Sequence, residues 1–198
     1  MDIFKYGQLE IDYLKSRDDK LAEVIDRIGI IEREVTPDIF TAIVDCIISQ
    51  QISSKASITI CNRFRDKFGN PEPAVISIAS PEDLRNCGLS IRKASYIKKI
   101  ADDIVNGNLL LSDMHDLTDE EVANRLLSIK GIGLWTVEML LIFSLQRPNI
   151  FSRYDYGISR GLMKLYGMDK LTDDDFNTIK DRYSPYGTIA SFYLWEIL

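Results

Sequence analysis

The stretch that decides the fold is residues 126–136, Leu-Leu-Ser-Ile-Lys-Gly-Ile-Gly-Leu-Trp-Thr. A helical pattern of apolar residues ends before Gly131 and another begins after Gly133, which predicts two helices joined by a Gly-x-Gly turn. Glycine permits a sharp turn, and the start of the second helix leaves N–H groups that attract an anion. The turn is therefore a candidate phosphate-binding site; an ordinary connection between two helices is the alternative.

Helical spacing of apolar residues extends outward from this turn over almost the whole chain. No run of residues alternates as a strand would, so the sequence predicts an all-α protein of about ten short helices. Predicted helix starts are Thr36-Pro37, Ser80-Pro81, Thr118, Thr172 and Ser184-Pro185.

The composition of this 198-residue chain excludes fibrous, disordered and membrane-spanning classes. The longest apolar stretch, Val137–Leu145, contains Glu138 and Ser144, and no apolar signal core follows Met1. The three cysteines lack the spacing of metal ligands. We therefore expect no membrane association and a cytoplasmic location, with the nucleoid as its site if the source is prokaryotic.

The net charge of -6 is unusual for a protein that binds nucleic acid. However, charge is unevenly distributed along the chain. Residues 85–100 contain five basic residues and no acid, whereas residues 101–121 contain only acidic charges. This pattern predicts a basic face and an acidic back, with ordinary solvated helix faces as the alternative.

A second informative stretch, Ile150–Ile158, places Asp155 at the predicted start of a helix. With this stretch the chain resembles the helix-hairpin-helix DNA glycosylases, and within them the 3-methyladenine DNA glycosylase II family. The resemblance covers roughly residues 36–198. It implies two packed helical subdomains with a DNA-binding cleft between them, the first formed by residues 35–135 and the second by residues 1–34 plus 136–198. It is carried by five segments in family order: Ser49–Ala56, Gly88–Ala94, Leu127–Thr136, Asp155–Gly157 and Tyr183–Trp195.

The resemblance implies that Asp155 is the catalytic residue. Hydrolysis of an N-glycosidic bond builds positive charge on the sugar, and a fixed carboxylate beside C1' stabilises that charge and can orient the attacking water. The alternative role for Asp155 is that of a simple helix cap.

The resemblance also implies a base pocket with aromatic walls. Trp135 and Trp195 match its aromatic positions, with Met139 and Tyr186 beside them, although each of these residues could instead belong to the core. Cation-π attraction would favour alkylated purines, which carry positive charge. Relatives that also cut the DNA strand have a lysine where this chain has Trp135, and Lys130 does not match that position. We therefore predict a glycosylase without lyase activity.

Further positions are implied to bind double-stranded DNA. Ile91 matches the wedge that fills the gap left by the flipped base, with burial as the alternative. The other implied DNA contacts are the turn residues Gly131, Ile132 and Gly133, together with Gln50, Gln51, Ser90, Arg92 and Lys93. The amides of Gln50 and Gln51 could equally cap a helix end. Carbonyls of Leu127, Ile129 and Ile132 match a site for a monovalent cation (Na or K). No cofactor is expected to be required, and no iron-sulfur cluster is expected because the C-terminal cysteine quartet is lacking.

The sequence therefore predicts a monofunctional glycosylase of base excision repair, acting as a monomer on damaged DNA. It would release alkylated purines of the 3-methyladenine and 7-methylguanine type and leave an abasic site. Two alternatives stay open: a glycosylase for an oxidised or mismatched base, and a non-catalytic helix-hairpin-helix module that only binds DNA.

Overall fold

A computed structural model describes residues 2–198, apart from the side chain of Ser54. It confirms the all-α prediction, because the described residues form α-helices and one short 3-10 helix with no strand; the single exception is an isolated antiparallel bridge between Ile3 and Glu34. Within residues 2–198, no helix combines the length and apolar character that crossing a membrane requires. The helices are α1 (Gln8–Arg17), α2 (Asp19–Ile28), α3 (Ile39–Ser49), α4 (Ser54–Phe68), α5 (Pro73–Ile78), α6 (Pro81–Asn86), α7 (Ile91–Val105), α8 (Asp119–Leu127), α9 (Leu134–Phe143), α10 (Tyr156–Tyr166), α11 (Asp173–Tyr183) and α12 (Gly187–Glu196).

The chain divides into two compact units. The central unit is Thr36–Leu140, and the terminal unit combines Met1–Val35 with Leu141–Leu198. The boundary falls inside α9, whereas the sequence had suggested a boundary at residue 135, near the beginning of the same helix.

The central unit is built around α3 and α7. Ile43 and Ile47 of α3 and Ile97 of α7 are fully buried, and α7 also packs against α5 and α6. Helix α3 begins at Ile39 rather than at Thr36-Pro37, because the carboxylate of Asp38 accepts a hydrogen bond from the Thr41 N–H at 2.7 Å. The helix starts predicted at Ser80 and Thr118 are confirmed.

The terminal unit is built around α12, whose residues 187–194 are all buried. Helix α10 lies directly against α12 at Gly161, where a Cβ atom would lie 2.9 Å from the Leu194 Cβ and would also meet the Leu194 carbonyl. Glycine is needed there because only a missing side chain permits this close approach. Thr172 caps α11 as predicted, whereas α12 begins at Gly187, after the predicted Ser184-Pro185 start.

Candidate active site and nucleic-acid interface

The turn between α8 and α9 has the sharp geometry that its sequence predicts. Gly131 has a φ of 100°, in the region that favours glycine, and a Cβ there would overlap the Tyr96 ring. The Gln50 side chain donates a 2.9 Å hydrogen bond from Nε2 to the Gly131 carbonyl. Gly133 differs, because its φ is not positive, it is exposed and nothing lies within 4 Å of a Cβ built on it. Only Gly131 is therefore required by the turn, while Gly133 leaves the surface at the start of α9 open.

Gln50 and Lys93, which the resemblance implies as DNA contacts, hold the turn and the neighbouring helix end, and their contact with DNA stays a prediction. Besides its bond to Gly131, Gln50 Nε2 lies 3.4 Å from Thr136 Oγ1. The Lys93 ammonium donates to the carbonyls of Ile48 and Gln50 at 2.9 Å and 2.6 Å. Burial, together with the charge of nearby Arg92, lowers the pKa of Lys93. Both side chains donate hydrogen bonds to carbonyl groups at the end of α3 and in the turn. Without these bonds, the carbonyl groups would lack a donor.

Ile91 lies at the first position of α7 and is 69% exposed. The burial alternative for this side chain is therefore excluded, and its role as a wedge stays a prediction. Ser90 caps α7 by accepting a hydrogen bond from the Lys93 N–H, and Gln51 and Arg92 are exposed. A large apolar side chain exposed beside a basic one is suited to contact with a ligand surface.

The end of the basic run and the start of the acidic run lie on the same helix. On α7, Lys98 pairs with Asp102 and Lys99 pairs with Asp103. Because residues four positions apart lie on the same side of a helix, the end of the basic run is paired with the start of the acidic run. At this junction the two signs of charge are paired, and the wider division into a basic face and an acidic back stays a prediction.

Asp155 is the N-cap of α10, as predicted, and it also contacts a second predicted site residue. Its Oδ1 atom accepts hydrogen bonds from the Ile158 N–H and from the Trp195 Nε1–H, both at 2.8 Å. The Asp155 side chain is 8% exposed. The structure thus brings Asp155 and Trp195 together inside the terminal unit.

The Trp195 indole is held by several other residues. Its ring stacks on Phe143 with centroids 5.8 Å apart and planes at 20°. The Arg33 guanidinium lies 5.7 Å from the indole centroid and forms a 2.8 Å ion pair with Glu196. Sequence reasoning missed Arg33 and Phe143, because no local pattern links them to Trp195.

Of the other predicted pocket residues, Tyr186 lies in the same unit as Asp155 and Trp195. Tyr186 is the N-cap of α12, packs edge-on against Tyr13 with centroids 5.1 Å apart, and lies at the opposite end of the ten-residue helix from Trp195. That helix is about 15 Å long. Trp135 and Met139 lie one turn apart on α9 in the central unit, with Trp135 half-buried and Met139 buried.

Two tyrosines that sequence reasoning missed lie on either side of Asp155. Tyr154 is 68% exposed and Tyr156 is 75% exposed, whereas the aspartate between them is buried. The signal was present in the sequence as an aromatic residue on each side of the predicted cap. Exposed aromatic rings can stack on bases or contact sugars, so both tyrosines are candidate DNA contacts.

The predicted cation site consists of backbone carbonyls. The Ile129 carbonyl accepts a hydrogen bond from the Ile132 N–H at 3.1 Å, and its second lone pair can still coordinate an ion. Carbonyl oxygens are suitable ligands for Na or K, and the monovalent-cation site at the carbonyls of Leu127, Ile129 and Ile132 stays a prediction. Within the described residues, no cluster of His, Cys, Asp and Glu has an arrangement that could hold a metal. Burial raises the pKa of the Cys46 thiol to about 12.

Comparison with known proteins defines the class to which this fold and turn belong. Residues 44–182 match the family model described as HhH-GPD superfamily base excision DNA repair protein. Among solved structures, the 3-methyladenine DNA glycosylase Mag1 of Schizosaccharomyces pombe, in complex with abasic DNA, superposes with a TM-score of 0.87 at 31% identity and covers 96% of both chains. The DNA-3-methyladenine glycosidase of Bacillus halodurans gives a TM-score of 0.83 at 31% identity, covering 99% of this chain and 92% of its own.

Curated relatives narrow this class. The chain is 36% identical over 162 residues to DNA-3-methyladenine glycosylase 1 of S. pombe, covering 79% of this chain and 71% of the relative. It is 33% identical over 167 residues to the Bacillus subtilis protein named putative DNA-3-methyladenine glycosylase YfjP. That match covers 80% of this chain but spans only 58% of the relative's length. The chain belongs to the HhH-GPD superfamily and, within it, to the 3-methyladenine DNA glycosylase family.

Proposed function

We propose that the protein is a DNA glycosylase that hydrolyses the N-glycosidic bond of alkylated purines and leaves an abasic site. The observation that carries this proposal is the buried carboxylate of Asp155, fixed by N–H donors from α10 and from Trp195. The names of the relatives support the same substrate class, 3-methyladenine and related bases. Double-stranded DNA containing such lesions is the proposed partner.

The proposed reaction is hydrolysis at C1' of an everted nucleotide, assisted by the Asp155 carboxylate. As the bond between C1' and the base lengthens, the base leaves with the bonding electrons and positive charge develops on the sugar. The Asp155 carboxylate stabilises that charge, and water adds its oxygen to C1' and gives up a proton. Alkylation at N3 or N7 already makes the purine a good leaving group, so this step needs no further acid.

Recognition of DNA would use the turn and the exposed residues near α7. The N–H groups at the start of α9 can bind a phosphate, and the open surface at Gly133 allows its close approach. Ile91 would occupy the gap left by the everted nucleotide. Trp135 would offer an electron-rich face to a positively charged base.

Base release should be restricted to alkylated purines and should leave the DNA strand uncut. We expect activity on duplexes carrying a single 3-methyladenine or 7-methylguanine, with strand breaks appearing only after hot alkali. No covalent adduct should form with borohydride, because Trp135 occupies the position of the lyase lysine and offers no amine. The measurement is gel analysis of a panel of defined lesions, with and without alkali or borohydride.

Each alternative predicts a different result in the same panel. Preference for 8-oxoguanine or for thymine opposite guanine would contradict the proposed substrate class. DNA binding without base release from any duplex would indicate a non-catalytic module. Trapping by borohydride would contradict the proposed absence of lyase activity.

The two glycines of the turn should respond differently to replacement by alanine. Gly131→Ala is expected to lower the free energy of unfolding by about 1–3 kcal/mol, because the new methyl group is strained at positive φ and meets Tyr96. Gly133→Ala should leave stability unchanged but weaken DNA binding, because its methyl group enters the open surface where the phosphate would approach. Thermal unfolding and fluorescence anisotropy with a duplex measure the two effects. Unchanged DNA affinity in Gly133→Ala would contradict the phosphate role of the turn.

A further inference from the structure

We propose that Trp195 is a positioning residue for Asp155, rather than only a wall of the base pocket, and that Phe143 and Arg33 hold its indole in place. This inference rests on the proposed function, because it assigns a role in the same reaction. It differs from the role that the family resemblance implies for Trp195.

The first step is the bond between the two side chains. Trp195 Nε1 lies 2.8 Å from Asp155 Oδ1, the same oxygen that accepts the Ile158 N–H at 2.8 Å. One donor comes from the backbone of α10 and the other from a side chain of α12, so the oxygen is held from two directions. An N-cap bond alone leaves the carboxylate able to turn about its own axis, and the second donor restricts that rotation.

The second step is the anchoring of the indole itself. Phe143 stacks on the Trp195 ring at 5.8 Å, Phe192 contacts it at 6.0 Å with planes tilted by 31°, and the Arg33 guanidinium lies 5.7 Å from its centroid. Arg33 is fixed in turn by its ion pair with Glu196 and by the 2.8 Å bond from the Phe4 N–H to its carbonyl. An indole with so many protein contacts is restrained, as a group that orients another side chain must be.

The third step is the space that Gly157 leaves. A Cβ atom at this position would lie 2.5 Å from Trp195 Cδ1, 2.9 Å from its Nε1 and 3.1 Å from Asp155 Oδ1. Any larger residue would therefore displace the indole from Asp155. Gly157 thus permits the hydrogen bond without taking part in it.

The test is Trp195→Phe, which keeps an aromatic ring but removes the N–H donor. Single-turnover base release from a 7-methylguanine duplex should slow about tenfold, while affinity for the duplex stays unchanged. The matched control is Tyr193→Phe on the same helix, which removes a partly buried 3.0 Å hydrogen bond to the Gly29 carbonyl and leaves the Trp195 N–H in place. Its rate should equal that of the wild type.

A double-mutant cycle separates positioning from base contact. If Trp195 acts through Asp155, Trp195→Phe should cause no further slowing in an Asp155→Ala background. Equal slowing in both backgrounds would overturn the inference, as would a Trp195→Phe rate within twofold of the wild type. Should Trp195→Phe fail to fold, Gly157→Ala provides the second variant. It should slow base release about tenfold and cause no further slowing in the Asp155→Ala background. Absence of base release by the wild type would instead reject the proposed function itself.

Discussion

Replacing Asp155 by asparagine is expected to slow base release from methylated DNA by about 100-fold to 1000-fold. The amide carries no negative charge, so it cannot stabilise the positive charge that develops on the sugar. Asparagine is also a good N-cap, and α10 should therefore keep its start and the protein its fold. Single-turnover release of 7-methylguanine, measured beside thermal unfolding, gives both quantities.

DNA affinity and a second carboxylate are the controls for this variant. Asp155→Asn should bind an abasic duplex as well as the wild type does. Asp181→Asn changes an exposed carboxylate on α11 in the same unit and should leave the rate unchanged. A rate for Asp155→Asn within a few-fold of the wild type would show that this carboxylate is only a helix cap.

The second large effect is expected in the free energy of unfolding, when the buried carboxylate of Asp18 is removed. Asp18 is 6% exposed and caps α2 by accepting the Leu21 N–H at 3.0 Å. Its Oδ2 atom accepts hydrogen bonds from Arg182 at 2.8 Å, from Tyr183 at 3.2 Å and from the Tyr166 hydroxyl. Asp18→Ala should lower the free energy of unfolding by about 3 kcal/mol, because it removes a cap and leaves buried donors without their acceptor. Urea denaturation at neutral pH measures this loss.

The same carboxylate should make stability depend on pH. Burial raises the pKa of Asp18, but hydrogen bonds from Tyr166, Leu21 and Arg182 outweigh it and the net shift is downward. The ionised carboxylate therefore contributes its full stabilisation above the unfolded-state pKa of about 4, and this is lost as pH falls through the lower folded-state pKa.

Asp18→Asn isolates the charge, because asparagine can still cap α2. Its stability should fall less steeply than that of the wild type on acidification below about pH 4. Asp19→Asn, at the exposed neighbouring position, should follow the wild-type curve. If Asp18→Asn and the wild type lose stability in parallel, the charge of Asp18 is not responsible.

The features that could be predicted from the sequence are those set by neighbouring residues. Helical spacing gave the all-α class, and the caps at Ser80, Thr118 and Asp155 depend on side chains within three residues of their partners. The sharp turn at Gly131 was predictable for the same reason, since its φ requires glycine.

The features that could not be predicted depend on distant parts of the chain. Trp195 bonds an aspartate 40 positions away, and the separation between Arg33 and its partner Glu196 is 163 positions. The resemblance implied Lys93 as a DNA contact, but it gave no sign that the ammonium would donate to two carbonyls near the end of α3. A sequence shows which groups can donate a hydrogen bond, whereas only the fold shows which acceptor is nearest.

The central claim is tested most directly by identifying what the wild-type protein sets free from DNA treated with a methylating agent. Chromatography with mass detection should find 3-methyladenine and 7-methylguanine as free bases, in amounts that match the alkali-sensitive sites left behind. If the methylated bases stay attached to the DNA while the protein binds it, the assignment of a hydrolytic role to the buried carboxylate is contradicted.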